Sequence, residues 1–153
     1  MKVLLDTNVI LDLLIFERGF QATASETLRK LVGSECQLFI STSSINAVVN
    51  TLSRTLKSDN ESFAGLKVLI DNYNIHLLSL TGNDILDIDQ FSNFEDALIS
   101  SSAKRIGSDV YILTKDETFD GQALNILTYK DISGLPTKIE KIPLLDLSRE
   151  YYL

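Results

Sequence analysis

The chain has 153 residues, of which 44% are hydrophobic and 23% charged; that suits one folded domain with a sizeable core and excludes a disordered or fibrous chain. Its net charge of −7 has the wrong sign for a non-specific nucleic-acid coat, although clustered metal-binding carboxylates would contribute to it, and it suits a basic protein partner. One cysteine, Cys36, rules out an intramolecular disulfide and fits a reducing cytoplasm. The N-terminus lacks the basic start and cleavage site of a signal peptide, and no apolar run approaches the length of a membrane span.

Val3-Leu4-Leu5 is a short continuous apolar run, as expected of a strand buried on both faces of a parallel sheet. It stops at Asp6. Thr7 and Asn8 then open a helical pattern through Val9, Ile10, Leu13 and Leu14 to about Phe16. Asp6 has two readings. Asp is a good helix N-cap, favoured by the helix dipole. An acid at the carboxyl end of a parallel strand also stands at the crevice where open α/β sheets place their ligands. Asp12, the one acid within that apolar stretch, is expected to face solvent or to be paired. Glu17-Arg18-Gly19 breaks the pattern.

A helix is expected from about Gln21 to Val32, ended by Gly33 where helix C-termini favour glycine. Gln37 to Ile40 reads as a second buried strand, with Cys36 as a small buried hydrophobe before it. Helices follow over about Ser44–Leu56 and Glu61–Asn72, the second burying Phe63, Leu66, Leu69 and Ile70. Ile75 to Leu78 is a third strand. It carries the only histidine, His76, which has no Cys or second His nearby and reads as structural rather than as a metal ligand. A short acidic helix spans Asn83 to about Gln90, with Ile85, Leu86 and Ile88 turned inward.

Ser92 and Glu95 have capping-box spacing and start a helix that ends near Ile106. Val110 to Leu113 is a β-branched fourth strand. It ends at Thr114-Lys115-Asp116-Glu117. Asn125 to Leu127 is a weaker strand, and the tail from Thr128, with Pro136 and Pro143, resists assignment. Strands alternating with helices of ten or more residues imply an α/β fold, with a mostly parallel central sheet and helices on both faces.

In such a sheet all strands end on one rim. Asp6 and Asp116 therefore lie together if both strands belong to it. Asp96 joins them if its helix begins at that rim, as a helix feeding a parallel strand normally does. Each acid has a plainer reading: Glu95 and Asp96 as first-turn dipole partners, Asp116 as a turn former. Three such coincidences on one rim are less probable than one. Close carboxylates repel, and a hard divalent cation, Mg²⁺ or Mn²⁺, relieves that repulsion. Such a cation retains waters and can hold substrate phosphate, which points to phosphodiester hydrolysis.

Leu4-Leu5-Asp6-Thr7-Asn8-Val9-Ile10-Leu11-Asp12 resembles the opening of PIN domains, especially the VapC-type toxins of bacterial toxin–antitoxin pairs. Phe94-Glu95-Asp96-Ala97-Leu98, followed by Ala103-Lys104-Arg105 and Tyr111-Ile112-Leu113-Thr114, resembles the family's third acidic site and the strand after it. Asp116 falls where the family has a fourth acid or an asparagine. The resemblance covers roughly residues 2 to 120. It implies a three-layer α/β/α PIN-like fold, a single domain over 1–153 with its core at about 2–128 and the segment 129–153 unassigned. It also implies a cytoplasmic, usually dimeric, Mg²⁺- or Mn²⁺-dependent ribonuclease. A small antitoxin protein would hold it inactive, and Asp6, Asp96 and Asp116 would be the metal ligands and catalytic residues. Lys115 or Arg54 would contact RNA phosphate, or each is a solvated surface charge.

One departure stands out. The family places a second acid near the start of its third helix, and the alignment puts Ala47 there. Asn46 and Asn50 share a helix face and offer only neutral oxygens. With one ligand fewer a metal binds more weakly. The alternative reading is therefore a catalytically degenerate PIN-fold protein that acts by binding RNA or a partner. A phosphoacceptor receiver domain would need an acid after the third strand, where Thr81-Gly82 stands. No phosphate-loop or dinucleotide motif is present.

Overall fold

The computed structural model describes residues 1–115, 119 and 125–134. Five short strands form one sheet: β1 (Lys2–Leu5), β2 (Gln37–Ser41), β3 (His76–Leu78), β4 (Val110–Leu113) and β5 (Asn125–Leu127). Their order is β3-β2-β1-β4-β5 and every pairing is parallel. The helices are α1 (Thr7–Leu14), α2 (Gln21–Gly33), α3 (Thr42–Leu56), α4 (Asp59–Asn72), α5 (Gly82–Leu86), α6 (Phe94–Ile106) and α7 (Tyr129–Ser133), with a 3-10 turn at Phe16–Arg18. Among the described residues none of these helices is long and apolar enough to cross a membrane.

The alternation of side chains along the strands divides the core in two. Val3, Leu5, Leu38, Ile40 and Leu113 point to one face, where residues of α1 to α4 and α7 cover them. Leu4, Val110 and Ile112 point to the other, against Ile99 and Ala103 of α6. Both faces of β1 and β4 are thus buried, which is why their sequences are continuously apolar rather than alternating. The result is the three-layer α/β/α arrangement expected from the sequence.

The chain leaves β1 toward β2 and β3 on one side and returns to place β4 on the other. The strand order therefore reverses between β1 and β4. Such a switch point leaves a crevice at the carboxyl ends of the strands, because the connecting chain departs on opposite sides of the sheet. Residues following Leu5 and Leu113, which pair with each other, line that crevice.

Several local expectations are corrected. Gly33 is the last residue of α2 but does not supply the left-handed turn; Ser34 is the cap and Glu35 takes the positive φ of 61°. Asn93, not Ser92, caps α6: its Oδ1 accepts from the Asp96 backbone N–H at 3.0 Å. The acidic helix after β3 is one short turn, α5, with Ile85 and Leu86 exposed rather than turned inward. Phe63, expected in the core, is exposed on α4. In each case a residue met a helix end or an outer face that single-sequence periodicity does not locate.

Leu4 is fully buried on the face covered chiefly by α6. Leu4→Ala is expected to cost about 2–5 kcal/mol of folding stability. Urea denaturation followed by circular dichroism measures it, and a loss under about 1 kcal/mol would contradict the assignment of that layer.

Candidate active site at the switch point

Asp6 is fixed from three sides. Its backbone N–H donates to Leu113 O at 2.9 Å, extending the β1–β4 ladder by one residue. Its carboxylate caps α1, with Oδ1 accepting from the Thr7 N–H at 2.8 Å. Oδ2 accepts from the Thr114 hydroxyl, also at 2.8 Å. Both readings of this residue therefore hold at once: it caps the helix and it is a carboxylate on the sheet rim. It is 3% exposed.

Two further acids arrive from α6. That helix begins at the same rim, as its place before β4 demands. Glu95 Oε1 accepts from the Thr7 hydroxyl at 2.5 Å, and Thr7 Oγ1 also lies 2.9 Å from Ser44 Oγ at the start of α3. Thr7 thus ties together α1, α3 and α6. Burial raises the Asp6 pKa to about 6, and the negative charges of Asp96 and then Glu95 add to the rise. The hydrogen bonds from Thr114 and Thr7 favour the ionised form but do not outweigh these effects.

Of the three acids expected at the site, the structure brings Asp6 and Asp96 within electrostatic reach of one another. Asp116 lies outside the described residues. Glu95, read from the sequence as a dipole partner, joins the group; its contact with Thr7 spans 88 residues and leaves no local signal. Thr7, Ser44 and Thr114 were not legible as site residues either. Ala47 is half-buried on α3, one turn beyond Ser44, so it stands on the face that reaches the site. Asn46 and Asn50 are exposed.

Among the described residues no group of three or more His, Cys, Asp or Glu is arranged to hold a metal ion. The donors that do meet, Asp6 and Asp96 with Glu95 beside them, are hard oxygens carrying excess negative charge. Their chemistry fits a hard divalent cation. His76 is exposed on β3 against the Phe39 ring, centroids 5.3 Å apart. Burial pushes the Cys36 thiol pKa up, which disfavours the reactive thiolate.

Asp12 is paired rather than solvent-facing, and wholly buried. Arg18 Nε donates to its Oδ1 at 2.8 Å, Lys115 Nζ to the same oxygen at 3.3 Å, and the Tyr129 hydroxyl to Oδ2 at 2.8 Å. Arg54, the other sequence-level candidate for phosphate, is exposed on α3.

The family model for the PIN domain matches residues 3–123. The crystal structure of VapBC2 from Rickettsia felis bound to a DNA fragment from their promoter contains a chain of the same fold. Its TM-score is 0.61 at 14% identity, over 84% of this chain and 98% of that one. No curated protein matches the chain.

The Asp6 pKa gives a pH prediction with a definite sign. Between its ordinary value of 3.8 and about 6, the folded chain holds the proton more tightly than the unfolded chain does. The ionised carboxylate therefore destabilises the metal-free fold, fully above about pH 6, and the penalty disappears as pH falls below 4. Asn caps helices as well as Asp does and carries no charge. In chelator, Asp6→Asn is expected to be up to about 3 kcal/mol more stable than the native chain at pH 8, and no more stable at pH 4. Chemical denaturation at the two pH values checks this; equal stabilities at pH 8 would contradict it.

Proposed function

The chain belongs to the PIN domain family, and on that footing we propose that it is a metal-dependent endoribonuclease, the toxin of a toxin–antitoxin pair. PIN domains are in general nucleases that use divalent ions. The observation that carries the proposal is Asp6: a buried carboxylate at the sheet's switch point, its pKa raised by burial and by the charges of Asp96 and Glu95. A protein seldom keeps like charges together at such a place without a counter-ion for them.

In this reading Asp6, Asp96 and Asp116 hold Mg²⁺ or Mn²⁺ and are the catalytic residues. The ion would supply a water of lowered pKa and positive charge opposite the scissile phosphate. Thr114 and the Thr7 N–H fix the two Asp6 oxygens, so that carboxylate costs little reorganisation when it takes up its ligand. Thr7 holds Glu95 by its hydroxyl, and Asp96, the next residue, is the acid of α6 assigned to the ion. The substrate is RNA, cut at a phosphodiester bond.

The likeness to a chain of the VapBC2 structure supports a small antitoxin as partner. The acidity of the present chain suits a basic antitoxin segment. We assign the protein to the cytoplasm, as a homodimer of single PIN domains spanning 1–153.

A second reading has an observation of its own. On the resemblance Ala47 stands where the family carries an acid, and among the described residues no group of three or more acids is arranged to hold a metal ion. A PIN scaffold without catalysis, acting by binding RNA or a protein, is consistent with both facts.

One experiment separates the two: cleavage of RNA by purified protein with Mg²⁺, Mn²⁺ or chelator, beside Asp96→Asn and Ala47→Asp. The proposal expects metal-dependent cleavage that falls by at least about a hundredfold in Asp96→Asn and rises in Ala47→Asp. Cleavage by Ala47→Asp alone would support the degenerate site. Silence from every variant would remove the nuclease reading.

A further inference from the structure

The buried Asp12 carboxylate is more than the site's scaffold requires. It is 0% exposed and collects two cations on one oxygen. One carboxylate neutralises one of them. Asp12, Arg18 and Lys115 therefore carry +1 together, in a chain whose net charge is −7. The third partner, the Tyr129 hydroxyl, adds no charge: burial and then the hydrogen bond to Asp12 push its pKa up, so it stays protonated.

Both cations are held beside the residues that frame Asp6. Lys115 directly follows Thr114, whose hydroxyl donates to Asp6. Arg18 also donates from Nη2 to Asn8 Oδ1 at 3.3 Å, two residues after Asp6. Neither cation is sunk in the core: the Arg18 side chain is 28% and the Lys115 side chain 31% exposed. Lys115 is further confined by Phe20, whose ring centroid lies 3.7 Å from its Nζ. Phe20 is itself 40% exposed. Long basic side chains on a surface normally sample many rotamers, and ordering them costs conformational entropy. Here that cost has been met in advance by a buried carboxylate and an aromatic ring.

From this we infer that Arg18 and Lys115, preset by Asp12, are the phosphate-backbone contact of the RNA strand flanking the scissile bond. The inference rests on the nuclease reading above and adds to it where the strand is gripped. It also answers how an acidic protein binds a polyanion. Local positive charge next to the acids attracts the strand and offsets their repulsion, so that the backbone is held even before a metal ion arrives. The same pair would grip the backbone whatever the bases are, so it contributes affinity and position rather than sequence choice.

The test is fluorescence anisotropy of a labelled single-stranded RNA oligomer in chelator, where cleavage does not intrude, over a range of salt. Arg18→Gln and Lys115→Gln are each expected to weaken binding about five- to tenfold at low salt. Each should also flatten the slope of log affinity against log salt by about 0.7, the loss of one phosphate contact on a single strand. Asp12→Asn separates position from bulk charge. It changes the net charge from −7 to −6, which by itself would tighten RNA binding, whereas loss of the presetting carboxylate should weaken it. Circular dichroism checks that Asp12→Asn is folded, and the two surface variants carry the test if it is not. Native protein that binds RNA while both cation variants bind it equally well, with unchanged salt slopes, overturns the inference and leaves the nuclease reading standing. Tighter binding by folded Asp12→Asn overturns the role of Asp12. Native protein that neither binds RNA nor cleaves it with metal removes both readings together.

Discussion

The carboxylate of Asp6 is held where it is electrostatically uncomfortable, and much of the surrounding structure serves to keep it there. β1 must run through the middle of the sheet for Asp6 to emerge at the switch point, and it does so because Val3, Leu4 and Leu5 are buried on both faces. The N–H of Asp6 is spent on the Leu113 carbonyl, its two oxygens on Thr7 and Thr114. Against these favourable contacts stand burial and the charges of Asp96 and Glu95, which together set its pKa near 6. A residue required only as a helix cap would be as well served by Ser or Asn without the like-charge neighbours. Tension of this kind is what functional sites retain at the expense of stability.

Around that group the molecule arranges charge in two neighbouring zones. One is negative and built by α1 and α6: Asp6, Glu95 and Asp96. The other joins α1, the 3-10 turn and the end of β4: Asp12 with Arg18 and Lys115, two cations on one carboxylate. Thr114 and Lys115 are consecutive and serve one zone each. On the reading proposed above, a polyanion drawn to the second zone would be delivered to the first. Elsewhere, ion pairs are structural. Arg105 reaches Asp84 through Nε and Nη2, each at 3.1 Å, and so fastens α5 to α6. Burial raises the Asp84 carboxyl, but the Arg105 and Thr81 contacts prevail and hold it below the usual carboxylate range.

The fold was legible in the sequence because its signals are local and repeated. Each buried strand is a short apolar run ending in a polar break, and α1, α3, α4 and α6 each follow a Ser, Asp or Asn cap, while α2 follows Phe20. Asp6 and Asp96 were legible as rim acids by topology alone, since parallel strands share a carboxyl edge. What failed to show was everything that depends on a single long-range contact. Glu95 belongs to the site through Thr7, 88 residues away. The burial of Asp12 depends on Tyr129, 117 residues away, and on Lys115. Leu86 looked like a core residue and is 77% exposed. Period and propensity describe an element's own faces; which face the rest of the chain covers is decided elsewhere.

Ala47 lies on the face of α3 that reaches the site through Ser44. An acid there would add a further charge to a group already under repulsion, so its absence lowers both the cost of the metal-free site and its affinity for an ion. The measurement that tests the central claim most directly is Mn²⁺ binding to the native chain, followed by electron paramagnetic resonance across pH. If Asp6 is a ligand, the ion must displace its proton. One Mn²⁺ per chain should then bind with an affinity that levels off above about pH 6 and falls by about tenfold for each pH step below it. Binding that is absent, or that does not change through that range, would contradict the account.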